Sequence, residues 1–133
     1  MCLILNERFS TRQKARDAIH APLIAKKDIP VYKVVYEITN SRWVGPYYSR
    51  FKYKEGINKS VFSFKTYKAF SVFDVVGWKV EVNRGLHSFI RKASAVSFSS
   101  WRTNAVIKRM IIPKGARYFK NSEEYVSDTL ILN

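Results

Sequence analysis

Several things are scarce in this 133-residue chain, and each scarcity excludes something. There is one cysteine, Cys2, so no intramolecular disulfide can form. With only two histidines, His20 and His87, far apart in sequence, no metal-ligand spacing exists. No apolar run approaches the ~20 residues that span a bilayer. The opening Met1–Leu5 is apolar but halts at Asn6-Glu7-Arg8, too short for the apolar core of a signal peptide. Five glycines and four prolines leave no low-complexity stretch, and no internal repeat is visible. The chain therefore reads as a protein without membrane spans, metal or cofactor.

What is abundant is positive charge. Lys and Arg number 24 against ten acids, a net charge of +14. Such a field draws polyanions and speeds encounter with them, without sequence specificity. Nucleic acid or an acidic protein is the partner this implies. Apolar residues at 47%, with aromatics at 15%, suffice for a core, so one folded domain is expected.

Periodicity predicts mostly strands. Residues 1–30 read as a peripheral N-terminal segment with a short helix near Thr11–Ile19. Residues 31–133 read as one α+β domain with a largely antiparallel, curved sheet. Val31 to Ile38 alternates, with Tyr32, Val34, Tyr36 and Ile38 on the apolar face and Lys33 and Glu37 on the solvent face. Ser49 to Lys54 alternates too, Arg50, Lys52 and Lys54 opposing Phe51 and Tyr53. Glu55 to Asn58 reads as a turn. Val61 to Phe70 and Val72 to Val82 are strand-like, with Gly77 marking a bulge. Phe89 to Trp101 is the main helix candidate, capped by Ser88. Ala105 to Ile112 and Thr129 to Leu132 complete the strands.

The stretch from Ser41 to Phe70 combines seven cations and nine aromatics with a single acid, Glu55. Cations that follow phosphates, interleaved with rings that stack on bases, form a platform for single strands. The candidate nucleic-acid or polyanion contacts are Arg42, Trp43, Tyr47, Tyr48, Arg50, Lys52, Lys54, Lys59, Lys65 and Lys68. Phe51, Phe62 and Phe64 are assigned to the core. His87 and Ser88 are candidate ligand contacts, because a helix start at Phe89 would offer free N–H groups to a phosphate or carboxylate. Glu123, Glu124 and Asp128 are expected to pair with Lys120 and Arg117. No catalytic set is assigned.

Two resemblances arise from these motifs. Ala25 to Ile29, Val31 to Val35, Gly85 to Phe89 (a G-x-H-S-F pattern), Ile111 to Ala116 (I-I-P-K-G-A) and Tyr125 to Asp128 (Y-V-S-D) resemble a group of small uncharacterised proteins of phages and large DNA viruses, over residues 25–132. The resemblance implies a viral accessory or virion-associated protein, in the host cytoplasm or the virion, and brings no activity. Leu86, where an aromatic is commoner, departs from the pattern. A fainter similarity is to the ADP-ribosyltransferase-like fold. It implies a basic residue on an early strand, a small hydroxyl residue on a middle strand, and a glutamate on a strand after a glycine-containing turn. Lys33, Ser88 and Glu123 or Glu124 occupy those places. A structural protein packing against an acidic partner is the remaining alternative.

Overall fold

A computed structural model describes residues 3–39, 42–45, 51–70, 75–100, 102 and 104–133. The first half of the chain supplies β1 (Leu3–Ile4), α1 (Arg12–Ile19), β2 (Leu23–Ile24), β3 (Ile29–Thr39), β4 (Arg42–Val44), β5 (Lys52–Lys54) and β6 (Gly56–Lys59). The second supplies β7 (Ser63–Phe70), β8 (Val75–Arg84), β9 (Leu86–Phe89), α2 (Lys92–Ser99), β10 (Ala105–Ile112), β11 (Arg117–Lys120), β12 (Glu124–Ser127) and β13 (Thr129–Leu132). The strands pair antiparallel throughout, so the α+β expectation holds.

Ten strands form the large sheet, in the order β2-β11-β12-β9-β3-β10-β13-β6, with β4 and β5 branching from β3. Long β3 makes this possible. One edge pairs with β10 from Ile29 to Tyr36, while the other meets β9 at Tyr32 and β4 from Tyr36 onward. Strands β5 and β6 follow each other across Glu55 and touch, yet no ladder joins them among the described residues. Asn58 bridges the gap. Its side chain accepts from the Lys54 N–H and donates to the Lys54 carbonyl, both at 2.9 Å, and to the Leu130 carbonyl at 3.3 Å. One face holds the main core, including Val31, Val35, Trp43, Tyr53, Leu86, Met110, Ile112 and Leu130.

The opposite face is covered twice. Over β3, β9 and β10, helix α2 seats Ala95 and Phe98 against Val34, Phe89 and Ile107. Over β11 and β12, a three-stranded sheet, β1-β8-β7, and helix α1 pack Leu3, Leu5, Ala15, Val80 and Val82 against Phe119 and Val126. Thr11 caps α1 by accepting from the Lys14 N–H. Leu3, Ala15 and Ala25 are fully or almost fully buried, so the segment expected to be peripheral is woven into the cores.

Three local expectations are corrected. Glu55 to Asn58 is not a turn alone: Gly56, at φ 89°, turns the chain, and β6 then pairs with β13. The main helix is shorter, Lys92–Ser99, with Arg91 at its cap and no side-chain cap bond. Lys33 faces the core, not solvent, because β3 is covered on both sides. Gly77 does lie at an irregularity, where the β7–β8 register shifts between Ala69 and Phe70.

Candidate functional site

The cation-rich stretch divides into unlike parts. On β5, Tyr53 turns inward against Phe51, ring centres 4.8 Å apart, and lies opposite Trp43 on β4. Alternation then sends Lys52 and Lys54 outward, and both are exposed. On β6, buried Asn58 sends Lys59 and Ile57 outward. Lys52, Lys54 and Lys59 therefore share one outer wall.

The other candidates do not join them. Trp43 is 6% exposed, with the Lys108 ammonium 4.9 Å from its ring centre, so it is a core residue and no base can stack on it. Lys65 and Lys68 lie on opposite faces of β7: Lys65 stands opposite Glu81, Lys68 opposite Trp78. Tyr47, Tyr48, Arg50 and the Arg42 side chain lie outside the described residues. Of the candidate rings only Trp43 lies among the described residues, and it is buried; the exposed candidates there are Lys52, Lys54, Lys59, Lys65 and Lys68.

His87 and Ser88 are not at a helix start. Both belong to β9, paired with Val126 and Tyr125 of β12. His87 lies at the seam between the two coverings, each ring nitrogen 3.2 Å from a carbonyl, Nδ1 at Gly85 and Nε2 at Val82. A neutral imidazole has one N–H and donates to only one of them. Burial, helped by the Lys33 charge, lowers its pKa to about 4, against the pull of the two carbonyls. The Ser88 hydroxyl is buried and finds no hydrogen-bond partner among the described residues.

Ser88 is one residue from Phe89 and Lys33 one from Tyr32, which pairs with Phe89. The two side chains therefore occupy adjoining places on the face of the main core. The Lys33 amine lies 5.3 Å from the Tyr53 ring centre. Burial lowers its pKa to about 8, with Glu124 opposing. Tyr53 is pushed up by the same burial. Glu124 opens β12, is 6% exposed, and is raised, chiefly by burial.

The expected ion pairing of the other acids takes a different form. Asp128 accepts from the backbone N–H of Arg117 and the hydroxyl of Thr129. Asp28 accepts from the backbone N–H of Lys114. Glu123 lines an open depression of about 450 Å3 beside α2, with Phe89, Ala93, Ser94, Ser97 and Phe98. Neither His87 nor Ser88 lines it. No group of three or more His, Cys, Asp or Glu side chains suited to a metal is found among the described residues. No helix among them is long and apolar enough to cross a membrane.

Lys33 was the residue that alternation misplaced. Val31 and Val35 flank it at the spacing of its own face, which signals a strand covered on both sides. Comparison of the chain with protein-family models, with curated proteins and with solved structures finds no match.

Proposed function

We propose that this protein is a small basic viral accessory or virion-associated module that binds nucleic acid or another polyanion without acting on it chemically. The observation that supports this is the outer wall carrying Lys52, Lys54 and Lys59, exposed on adjoining strands. The charge balance adds to it. With 24 cations and ten acids, one-to-one pairing leaves at least 14 cations over. Asp28 and Asp128 also accept from backbone amides, so the shortage of counter-charges is real.

With Trp43 buried, recognition rests on phosphates rather than stacked bases. The test is Lys52→Gln, Lys54→Gln and Lys59→Gln together, assayed with a fluorescent oligonucleotide across a salt series. The expected result is weaker binding and a salt dependence shallower by about two units for single strands. At matched length the duplex, with the denser phosphates, should bind at least as tightly as the single strand. An unchanged salt slope would remove this wall from the interface.

A second reading, a nucleotide-handling enzyme of the ADP-ribosyltransferase-like type, is favoured by one observation. Lys33, Ser88 and Glu124 stand on three consecutive strands, β3, β9 and β12. Alternation sets Lys33 and Ser88 on one face and Glu124, opposite Phe89, on the other, so a shared substrate would have to reach around the start of β12. Calorimetric titration with an ADP-ribosyl donor, repeated on Glu124→Gln, decides it. No heat in the wild type removes this reading.

A further inference from the structure

Strand β7 is the outer member of the small sheet. It pairs with β8 along its length, from Ser63 opposite Arg84 to Phe70 opposite Val75, and with no other described strand. Among the described residues, its second side therefore presents unpaired backbone N–H and C=O groups at every other position along eight residues. Such a row is a template for one more strand.

The charges along this edge choose the strand. Lys68 shares the face of Trp78, its amine 5.8 Å from the ring centre. The guanidinium of Arg12, at the start of α1, lies 5.6 Å from the same centre. Two cations thus gather on one indole. A carboxylate between them would supply the opposite charge. Lys65, on the other face, is exposed beside Glu81 and has room for a second acid on its open side.

We infer that the free edge of β7 docks an extended acidic segment of a partner protein. The segment adds as a further strand and satisfies the unpaired backbone groups. One of its carboxylates meets Lys68 and Arg12, and another meets Lys65 on the opposite face. Lys65 and Lys68 are three positions apart, so the segment carries acids at the same spacing.

A second copy of this chain fits poorly. Antiparallel pairing of β7 with β7 of another copy brings no carboxylate to either lysine, because Ser63–Phe70 contains no acid. An oligonucleotide lacks the donor–acceptor spacing of a strand and leaves the edge unpaired.

The test is amide hydrogen exchange on the full chain. The probes are a capped nine-residue peptide of Val and Thr with Glu at two positions three apart, its Gln counterpart, and a single-stranded oligonucleotide. The Glu peptide should slow exchange across residues 63–70 by at least about tenfold, while the Gln peptide does not. Lys65→Glu with Lys68→Glu should abolish the slowing. Replacement of Lys52, Lys54 and Lys59 should leave it intact, which separates this edge from the nucleic-acid wall. No slowing at 63–70, equal slowing by the Gln peptide, or slowing by the oligonucleotide instead would each overturn the inference.

Discussion

Lys33→Met is the most informative single substitution, because burial of one amine sets both its sign and its pH dependence. Burial lowers the Lys33 pKa from 10.5 to about 8. The folded protein releases that proton near pH 8, while the unfolded chain keeps it to about 10.5. Below pH 8 both states carry the charge, and folding bears the full penalty of burying it, about 3 kcal/mol at roughly 1.4 kcal/mol per pH unit. Between pH 8 and 10.5 the unfolded chain holds the extra proton, so stability rises with pH. Methionine keeps the length of the side chain and removes the charge. It also loses the amine's contact with the Tyr53 ring, on the order of 1 kcal/mol. The variant should therefore be more stable than wild type by about 2 kcal/mol at pH 7, and, as the wild type gains about 3 kcal/mol on the way to pH 10.5, less stable by about 1 kcal/mol there. Urea unfolding of both proteins from pH 6 to 10.5 measures this. A difference that stays constant with pH, or a variant that is weaker at pH 7, would refute the placement of a buried charge.

Three further outcomes are expected. The lowered pKa of His87 means wild type loses stability as pH falls from 6.5 towards 4, by up to about 3 kcal/mol. His87→Gln should flatten that slope in thermal scans at pH 4.5 and 7; the opposite trend from the raised Glu124 is common to both proteins and cancels. Asn58→Ala removes two 2.9 Å hydrogen bonds and should lower unfolding free energy by about 2–4 kcal/mol in urea, whereas a loss under about 1 kcal/mol would show that Asn58 does not hold β5 to β6. Gly85→Ala puts a methyl 2.6 Å from a Val126 methyl and 3.1 Å from the Phe62 ring at φ +144°, and a melting temperature within about 2 °C of wild type would contradict that crowding.

The long elements were legible because period and punctuation agree. Ala105–Ile112 and Thr129–Leu132 fall on the expected residues, and Thr11 caps the short helix. Short strands were not. A four-residue piece such as Leu86–Phe89 shows no period, and its conformation is set by pairing with β12. That is why Ser88 looked like a helix cap: a hydroxyl residue ahead of a serine-rich helix fits the capping pattern, yet the strand continues through it and the helix starts at Lys92. Trp43 lies between turn-forming residues and gave no local sign of burial, which comes from Tyr53 opposite it. At the candidate site, the outward lysines of β5 follow from alternation alone. So does the separation of Lys65 from Lys68, since an odd spacing along a strand reverses the face.

The long β3–β10 ladder has a consequence for synthesis. Tyr36 waits for Ala105 and Ile29 for Ile112, partners roughly 70 to 80 residues later in the chain. At about 5–20 residues per second a ribosome takes several seconds to cover that distance. Throughout that interval the β10 edge of the apolar run from Val31 to Val35 has no partner and is open to pairing with another nascent chain. Lys33 interrupts it at its centre, and Lys26 and Lys27 stand just upstream. The charge that makes Lys33 costly in the finished sheet thus acts as a gatekeeper during translation, and the substitution that stabilises the folded protein is expected to lower its soluble yield.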